Sequence, residues 1–225
     1  MERDARDIEA INGVPVTSFV HSRMQKKEYS VDTLLSNLKI DSLNEMQVQA
    51  LEVLEHREEL ILLSATGSGK TLAFLLPVLK DIDTETKDTK AIIIVPSREL
   101  ALQIEQVFKS MKTGLKVTCC YGGHLRETEE NNLKQPPALL VGTPGRLADH
   151  IRRENITTGS INTLVLDEFD KSLELGFLDE MSFIVDSLPA IKKRILTSGT
   201  EAVEIPGFVG LKDPARLNFL AAENE

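Results

Sequence analysis

The chain has 225 residues, 41% of them hydrophobic, so it can bury a sizeable core as one large domain or two small ones. Its formal net charge of -9 argues against a nucleic-acid binder held by overall charge, but leaves room for a local basic groove, because contacts are made by patches. The two cysteines, Cys119 and Cys120, are neighbours in a β-like run, which excludes a disulfide framework and a cysteine-based zinc site; His21, His56, His124 and His150 show no ligand spacing. No stretch is long and apolar enough to span a membrane, and the acidic, polar N-terminus has no signal-peptide core, so a cytoplasmic location is expected.

Residues 1–28 mix charges with little periodicity and read as a flexible arm. A capping residue, Ser30 or Asp32, precedes Leu34, Leu35 and Leu38 on one helical face. Leu43, Met46, Ala50, Val53 and Leu54 form the apolar stripe of a second helix. Strand-like runs then alternate with helix-like ones. Strands are expected at 59–64, 91–95, 116–121, 138–141, 163–166 and 194–197, and helices at 70–80, 98–111, 125–133, 145–152 and 178–188. Short, non-alternating strands rich in Ile, Val and Leu, separated by helices, predict an α/β fold with a mostly parallel sheet and helices on both faces. In such sheets ligands sit at the C-terminal strand edge, and the loops richest in Gly, Ser, Thr, Arg and acids follow the strand-like runs.

The first of these loops is Ser64, Ala65, Thr66, Gly67, Ser68, Gly69, Lys70 and Thr71. Gly67 and Gly69 permit a tight turn with inward N–H groups, and the following helix adds its partly positive N-terminus. Lys70 suits the β/γ-phosphates of a nucleotide and Thr71 suits Mg²⁺. The generic phosphate-loop pattern has Gly where this chain has Ser64, and the same residues also suit a plain Gly/Ser turn with a surface Lys. Thr163–Leu166 ends in Asp167-Glu168. Two acids closing a buried strand are costly unless a cation is at hand; Asp167 suits Mg²⁺ held partly through water, and Glu168 suits orientation or deprotonation of an attacking water. A solvated acidic turn is the plainer alternative.

Taken together, the loops resemble those of the first RecA-like domain of a DEAD-box ATP-dependent RNA helicase. Ser64–Thr71 is similar to the family's A-x-T-G-S-G-K-T, with Ser leading. Pro96-Ser-Arg-Glu-Leu-Ala101 resembles P-T-R-E-L-A, Gly122-Gly123 the paired glycines, and Thr143-Pro-Gly-Arg146 the T-P-G-R motif. Asp167-Glu-Phe-Asp170 resembles D-E-A-D with Phe for Ala, and Ser198-Gly-Thr200 resembles S-A-T with Gly for Ala. Lys171–Phe177 resembles the family's next helix, and Gly210–Leu217 its last strand region. The resemblance covers roughly residues 30–220 and implies a RecA-like P-loop fold over 29–220 that binds ATP with Mg²⁺.

It also implies roles. Gln47 stands where the family reads adenine, although Leu43 and Asn44 replace the usual Pro and Thr; a polar helix residue is the alternative. Phe19 and Tyr29 are candidates for the ring that stacks on adenine. Pro96, Ser97, Arg98, Gly122, Gly123, Thr143, Gly145 and Arg146 would hold the RNA sugar-phosphate backbone, with Arg98 and Arg146 as phosphate partners; a salt bridge with Glu99 is the plainer reading of Arg98. Asp170, Ser198 and Thr200 would couple hydrolysis to strand separation, a coupling that Phe169 and Gly199 are expected to weaken. The pattern stops before a second RecA-like half, with 221–225 resembling the start of an interdomain linker. The expectation is a chain cut at the domain boundary, which binds nucleotide and neither hydrolyses ATP appreciably nor unwinds RNA. A catalytically impaired RNA-binding or scaffold relative is the alternative, and a different P-loop ATPase is disfavoured by Pro96–Ala101 and Thr143–Arg146.

Overall fold

Successive residues of a strand point to opposite faces of a sheet, and here each face is apolar. In a computed structural model that describes residues 30–220, apart from 84, 124, 202 and 203, seven strands follow one another as β1 (Glu59–Leu63), β2 (Ala91–Ile94), β3 (Val117–Cys120), β4 (Leu139–Gly142), β5 (Thr163–Leu166), β6 (Lys193–Ser198) and β7 (Ala215–Asn218). They form one sheet in the order β3-β4-β2-β5-β6-β1-β7, and every neighbouring pair is parallel. Leu60, Leu62, Ile93, Val141, Val165 and Ile195 face one core layer; Ile61, Leu63, Ile92, Leu140, Leu164 and Leu196 face the other. Cys120 lies in the second layer while Cys119 packs against the first, so the two thiols sit on opposite faces and are free.

The first layer is covered by α1 (Val31–Leu38), α2 (Glu45–His56), α3 (Lys70–Asp81) and α4 (Arg98–Ser110). The second is covered by α5 (Arg126–Leu133), α6 (Pro144–Arg152), α7 (Phe169–Glu174) and α8 (Leu178–Asp186). Local chemistry sets the helix starts. Ser30 Oγ accepts the N–H of Thr33, and Asn44 forms a reciprocal capping box with Gln47. Pro144 opens α6 at its first helical position, where its missing N–H costs nothing.

Most expected elements are present with ends shifted by one or two residues. The helix after the acids begins at Phe169, not Lys171, and stops at Glu174 ahead of Gly176, whose φ is 82°. The strand expected within Gly210–Leu217 is Ala215–Asn218. The arm at 1–28, the linker at 221–225, Phe19 and Tyr29 lie outside the described residues. Among the described residues no helix is long and apolar enough to cross a membrane.

Strand order divides the loops. Because β5, β6 and β1 are neighbours, the loops after them, with Asp167–Asp170, Ser198–Thr200 and Ser64–Thr71, share one half of the C-terminal edge. Because β3, β4 and β2 are neighbours, Pro96–Arg98, Gly122-Gly123 and Thr143–Arg146 share the other.

Candidate functional site

In the first half, the phosphate loop starts as a continuation of the sheet: the Ser64 N–H donates to the Ser198 carbonyl at 3.1 Å. Gly67 and Gly69 then take φ values of 92° and 95°, in the left-handed region that favours glycine. Gly69 caps α3 without a side chain, so the first amides of the helix are not met by a capping side chain. Two residues at the start of α2 hold the loop from behind. Asn44 Nδ2 donates to the Ser68 carbonyl at 3.0 Å, and Gln47 Nε2 donates to the Gly69 carbonyl at 3.1 Å. Inside the loop, Ser64 Oγ and Ser68 Oγ are 2.9 Å apart, and Ser68 Oγ donates to the Ala65 carbonyl at 2.8 Å.

Lys70 is buried. Its Nζ donates to the Ser64 carbonyl at 2.7 Å and the Ala65 carbonyl at 2.8 Å. Burial holds its ammonium below the ordinary range, against the pull of Asp167, Glu168 and Asp170. Thr71 is half-buried in the first turn of α3, and Ala65, Thr66 and Gly67 line the accessible side of the loop.

Asp167 closes β5 and is buried; its carboxyl is pushed up to about 6 by burial, with a hydrogen bond from Thr197 working against the rise. Glu168 has φ 50° and ψ 50°, an uncommon conformation for a residue with a side chain. Its N–H donates to Thr197 Oγ1 at 3.1 Å, and its carboxylate pairs with Lys171 at 2.9 Å. Asp170 is buried, and its Oδ2 accepts the Gly199 N–H at 3.1 Å and the Thr200 hydroxyl at 3.2 Å. The other carboxylate oxygen, Oδ1, is buried with no hydrogen-bond partner among the described residues. Ser198 Oγ donates to the Thr200 carbonyl at 2.7 Å, which folds the Ser198–Thr200 loop on itself. Phe169 points away from these acids into the second core layer.

In the second half, Ser97 caps α4, its Oγ accepting the Leu100 N–H at 3.2 Å, and Pro96 is buried behind it. Arg98 is exposed and lies 5.1 Å over the Tyr121 ring, not against Glu99. Gly122 and Gly123 are exposed, Gly123 with φ 79°. The Thr143 N–H donates to the Cys120 carbonyl at 3.0 Å, and Gly145 is exposed in the first turn of α6. Arg146 turns inward: its Nη1 donates to Glu129 Oε2 at 3.1 Å.

Four residues here were not singled out by sequence reasoning as part of the site. Asn44 was legible, because Asn-x-x-Gln is a capping-box pattern. Thr197, Glu129 and His150, whose Nε2 lies 2.7 Å from Glu129 Oε2, carry no local signal.

The oxygen donors Thr71, Asp167 and Glu168, one of them a buried carboxylate, fit Mg²⁺ better than a softer metal. A phosphate loop after β1, an acid pair after β5, and the strand β6 between them define a RecA-like P-loop domain. Comparison with known proteins agrees: the model of the DEAD/DEAH box helicase family matches residues 44–205, and the chain belongs to that family. It is 38% identical over 199 residues to the ATP-dependent RNA helicase CshA of Limosilactobacillus reuteri, covering 85% of this chain and 40% of that protein. It is 34% identical over 169 residues to the ATP-dependent RNA helicase DeaD of Escherichia coli K12, covering 74% of this chain and 27% of that one. Among solved structures it is similar to a DEAD box protein from the hyperthermophile Methanococcus jannaschii, with a TM-score of 0.77, 26% identity, and 88% and 55% of the two chains covered. The chain thus spans well under two thirds of the length of these relatives.

Proposed function

We propose that this chain is the ATP-binding half of an ATP-dependent RNA helicase core. Ser64–Thr71 takes the phosphates of ATP; Gln47 takes the adenine edge with the N–H and lone pair that remain while its amide meets the Gly69 carbonyl and the Asn44 N–H; Thr71 and Asp167 would hold Mg²⁺, which would neutralise phosphate charge. Lys70 leaves the Ser64 and Ala65 carbonyls to meet the phosphates, exchanging two neutral acceptors for a charged one. Glu168 orients the attacking water. Ser97, Arg98, Gly122, Gly123, Thr143 and Gly145 face the RNA backbone, which carries no sequence information. Asp170, through Gly199 and Thr200, links the two activities.

One observation carries this reading: the sheet order sets the phosphate loop, the acids and Ser198–Thr200 on adjoining strand ends, and the loops suited to RNA on the ends of β3, β4 and β2. A second RecA-like domain completes both sites, so the 225 residues alone bind nucleotide and turn over little ATP. The test is a titration with a fluorescent ADP analogue, with and without Mg²⁺, together with ATPase rates with RNA, with DNA and with neither. Mg²⁺-assisted binding that Lys70→Ala abolishes is the expected result. Failure of the unsubstituted chain to bind nucleotide overturns the ATP reading; RNA-stimulated turnover by this chain overturns the expectation of near-inactivity; equal stimulation by DNA overturns the RNA preference.

A further inference from the structure

A buried carboxylate lies beneath the three loops suited to RNA. Glu129, on α5, is 1% exposed. Its Oε1 accepts the backbone N–H of Tyr121 at 3.0 Å, at the end of β3. Its Oε2 accepts Nη1 of Arg146 at 3.1 Å and Nε2 of His150 at 2.7 Å, both from α6. His150 is fully buried, and Asn155 Nδ2 lies 3.1 Å from its Nδ1. Tyr121 in turn carries the Arg98 guanidinium on its ring. One continuous path therefore runs from the Ser97-Arg98 loop through Tyr121 and Glu129 to Arg146 at the start of α6.

We propose that Glu129 is the positioning residue for the RNA-facing surface, and that Arg146 is its buried counter-ion and not a phosphate ligand. The proposal rests on the RNA reading above. Arg146 is 16% exposed, and the carboxylate it meets is 2% exposed. Drawing its guanidinium out to a phosphate strands Glu129 as a buried charge short of its cation, which is far costlier than losing a surface pair. Phosphate contact then falls to Arg98, which is exposed, and to the backbone amides of Gly122, Gly123 and Gly145. Cys120, Glu129 and His150 bring metal-ligand-type atoms within 4.8 Å of one another. Glu129 Oε2 is already shared by a guanidinium and an imidazole, so the charge is balanced by protein groups and no cation is called for.

Counterion release separates a phosphate ligand from a positioning residue. Each phosphate contact on a single strand contributes about 0.7 to the slope of log affinity against log salt. The experiment measures binding of a fluorescein-labelled oligouridylate by the 225-residue chain across a salt series, with ADP-analogue affinity as the control for folding. Arg98→Gln is expected to lower the slope by about 0.7. Glu129→Gln is expected to weaken RNA binding by roughly fivefold to tenfold with ADP binding and slope unchanged, because Tyr121 keeps its acceptor while Arg146 loses its anchor. Glu129→Gln/Arg146→Gln, a neutral pair that stands even where Arg146→Gln alone fails to fold, is expected to keep the wild-type slope. A slope lower by about 0.7 in the double variant makes Arg146 a phosphate ligand and overturns its assignment. RNA affinity unchanged in Glu129→Gln overturns the positioning role. If the unsubstituted chain binds no RNA at any salt, the RNA reading itself fails, and this one with it.

Discussion

The hydroxyl of Thr197 sits between the two acids that end β5. It donates to Asp167 Oδ1 at 2.5 Å and accepts the Glu168 N–H at 3.1 Å. One side chain on β6 therefore fixes the direction of one carboxylate and the left-handed backbone of the next residue. The contact exists because β5 and β6 are neighbours, with Leu166 opposite Leu196.

Thr197→Val removes both hydrogen bonds at nearly constant shape. The buried Asp167 carboxylate loses its donor, and the strained Glu168 backbone loses its tie, each worth about 1–3 kcal/mol. Mg²⁺-dependent nucleotide affinity is expected to fall about tenfold or more, while Mg²⁺-free ADP affinity changes little. Thr197→Ser, which keeps the hydroxyl, is expected to restore it. Calorimetric titration with and without Mg²⁺ checks both. Equal losses in the two conditions would show that Thr197 supports the loop in general and not Asp167 in the proposed Mg²⁺ site.

Burial of Asp167 also sets a pH dependence. Its carboxyl rises from 3.8 to about 6 on folding, so between those values the folded state binds more protons than the unfolded one. Stability from this group is fully present below pH 3.8 and is lost as pH rises through about 6. The loss at neutral pH is on the order of 3 kcal/mol. Asp167→Asn removes the titration. Urea unfolding in EDTA is therefore expected to show the variant gaining on the wild type from pH 4.5 to 7.5. A difference between the two chains that stays constant with pH contradicts this assignment.

The loop clamp can be tested from both sides. Asn44→Ala removes the cap of α2 and the tie to Ser68, and is expected to cost about 1–2 kcal/mol of stability. Gly69→Ala acts on the loop itself. Its φ is 95°, and a Cβ there would lie 2.6 Å from Gln47 Nε2. A left-handed residue with a side chain costs about 1–2 kcal/mol before the clash is counted. Gly67→Ala meets no atom within 4 Å and bears the backbone strain alone. Nucleotide affinity is expected to fall further for Gly69→Ala than for Gly67→Ala. The reverse order would mean that Gln47 yields freely and does not brace the loop.

Much of the fold and part of the site were legible in the sequence, for a physical reason. The phosphate loop, the strand-end acids and the paired glycines are contiguous runs whose chemistry depends on near neighbours. Parallel strands with two apolar faces also declare themselves locally, because Ile92-Ile-Ile94 has no polar face to show solvent. What sequence could not show depends on strand order. Thr197 lies 30 residues from Asp167, and Glu129 lies 21 from His150. Neither pair has a spacing that marks it, since each meets only after the sheet has ordered its strands. The resemblance makes Arg146 a phosphate partner, and nothing near it in sequence marks the carboxylate that draws it inward, which is on another helix. Asn44 is the exception, a local signal masked by its unusual neighbours.

Phe169 and Gly199, the departures in the acid motif and in Ser198-Gly-Thr200, have opposite expected effects when reverted. Phe169 is 2% exposed and contributes its ring to the second core layer. Phe169→Ala restores the family's residue but opens a cavity the size of the ring, which costs about 3–5 kcal/mol unless neighbours collapse into it. Gly199 lies outside the left-handed region, and a Cβ there meets only Asp170 Oδ2, at 3.5 Å, an ordinary contact. Gly199→Ala is therefore expected to be accommodated, and to gain about 0.4–1 kcal/mol by restricting the unfolded chain. The Gly199 N–H that Asp170 accepts is a backbone group and survives the change. Thermal unfolding of the two single variants and the double checks the prediction. A Phe169→Ala chain as stable as the wild type would show that the core repacks around Ala at this position. A loss in Gly199→Ala would place strain at the Asp170 contact that the present geometry does not contain.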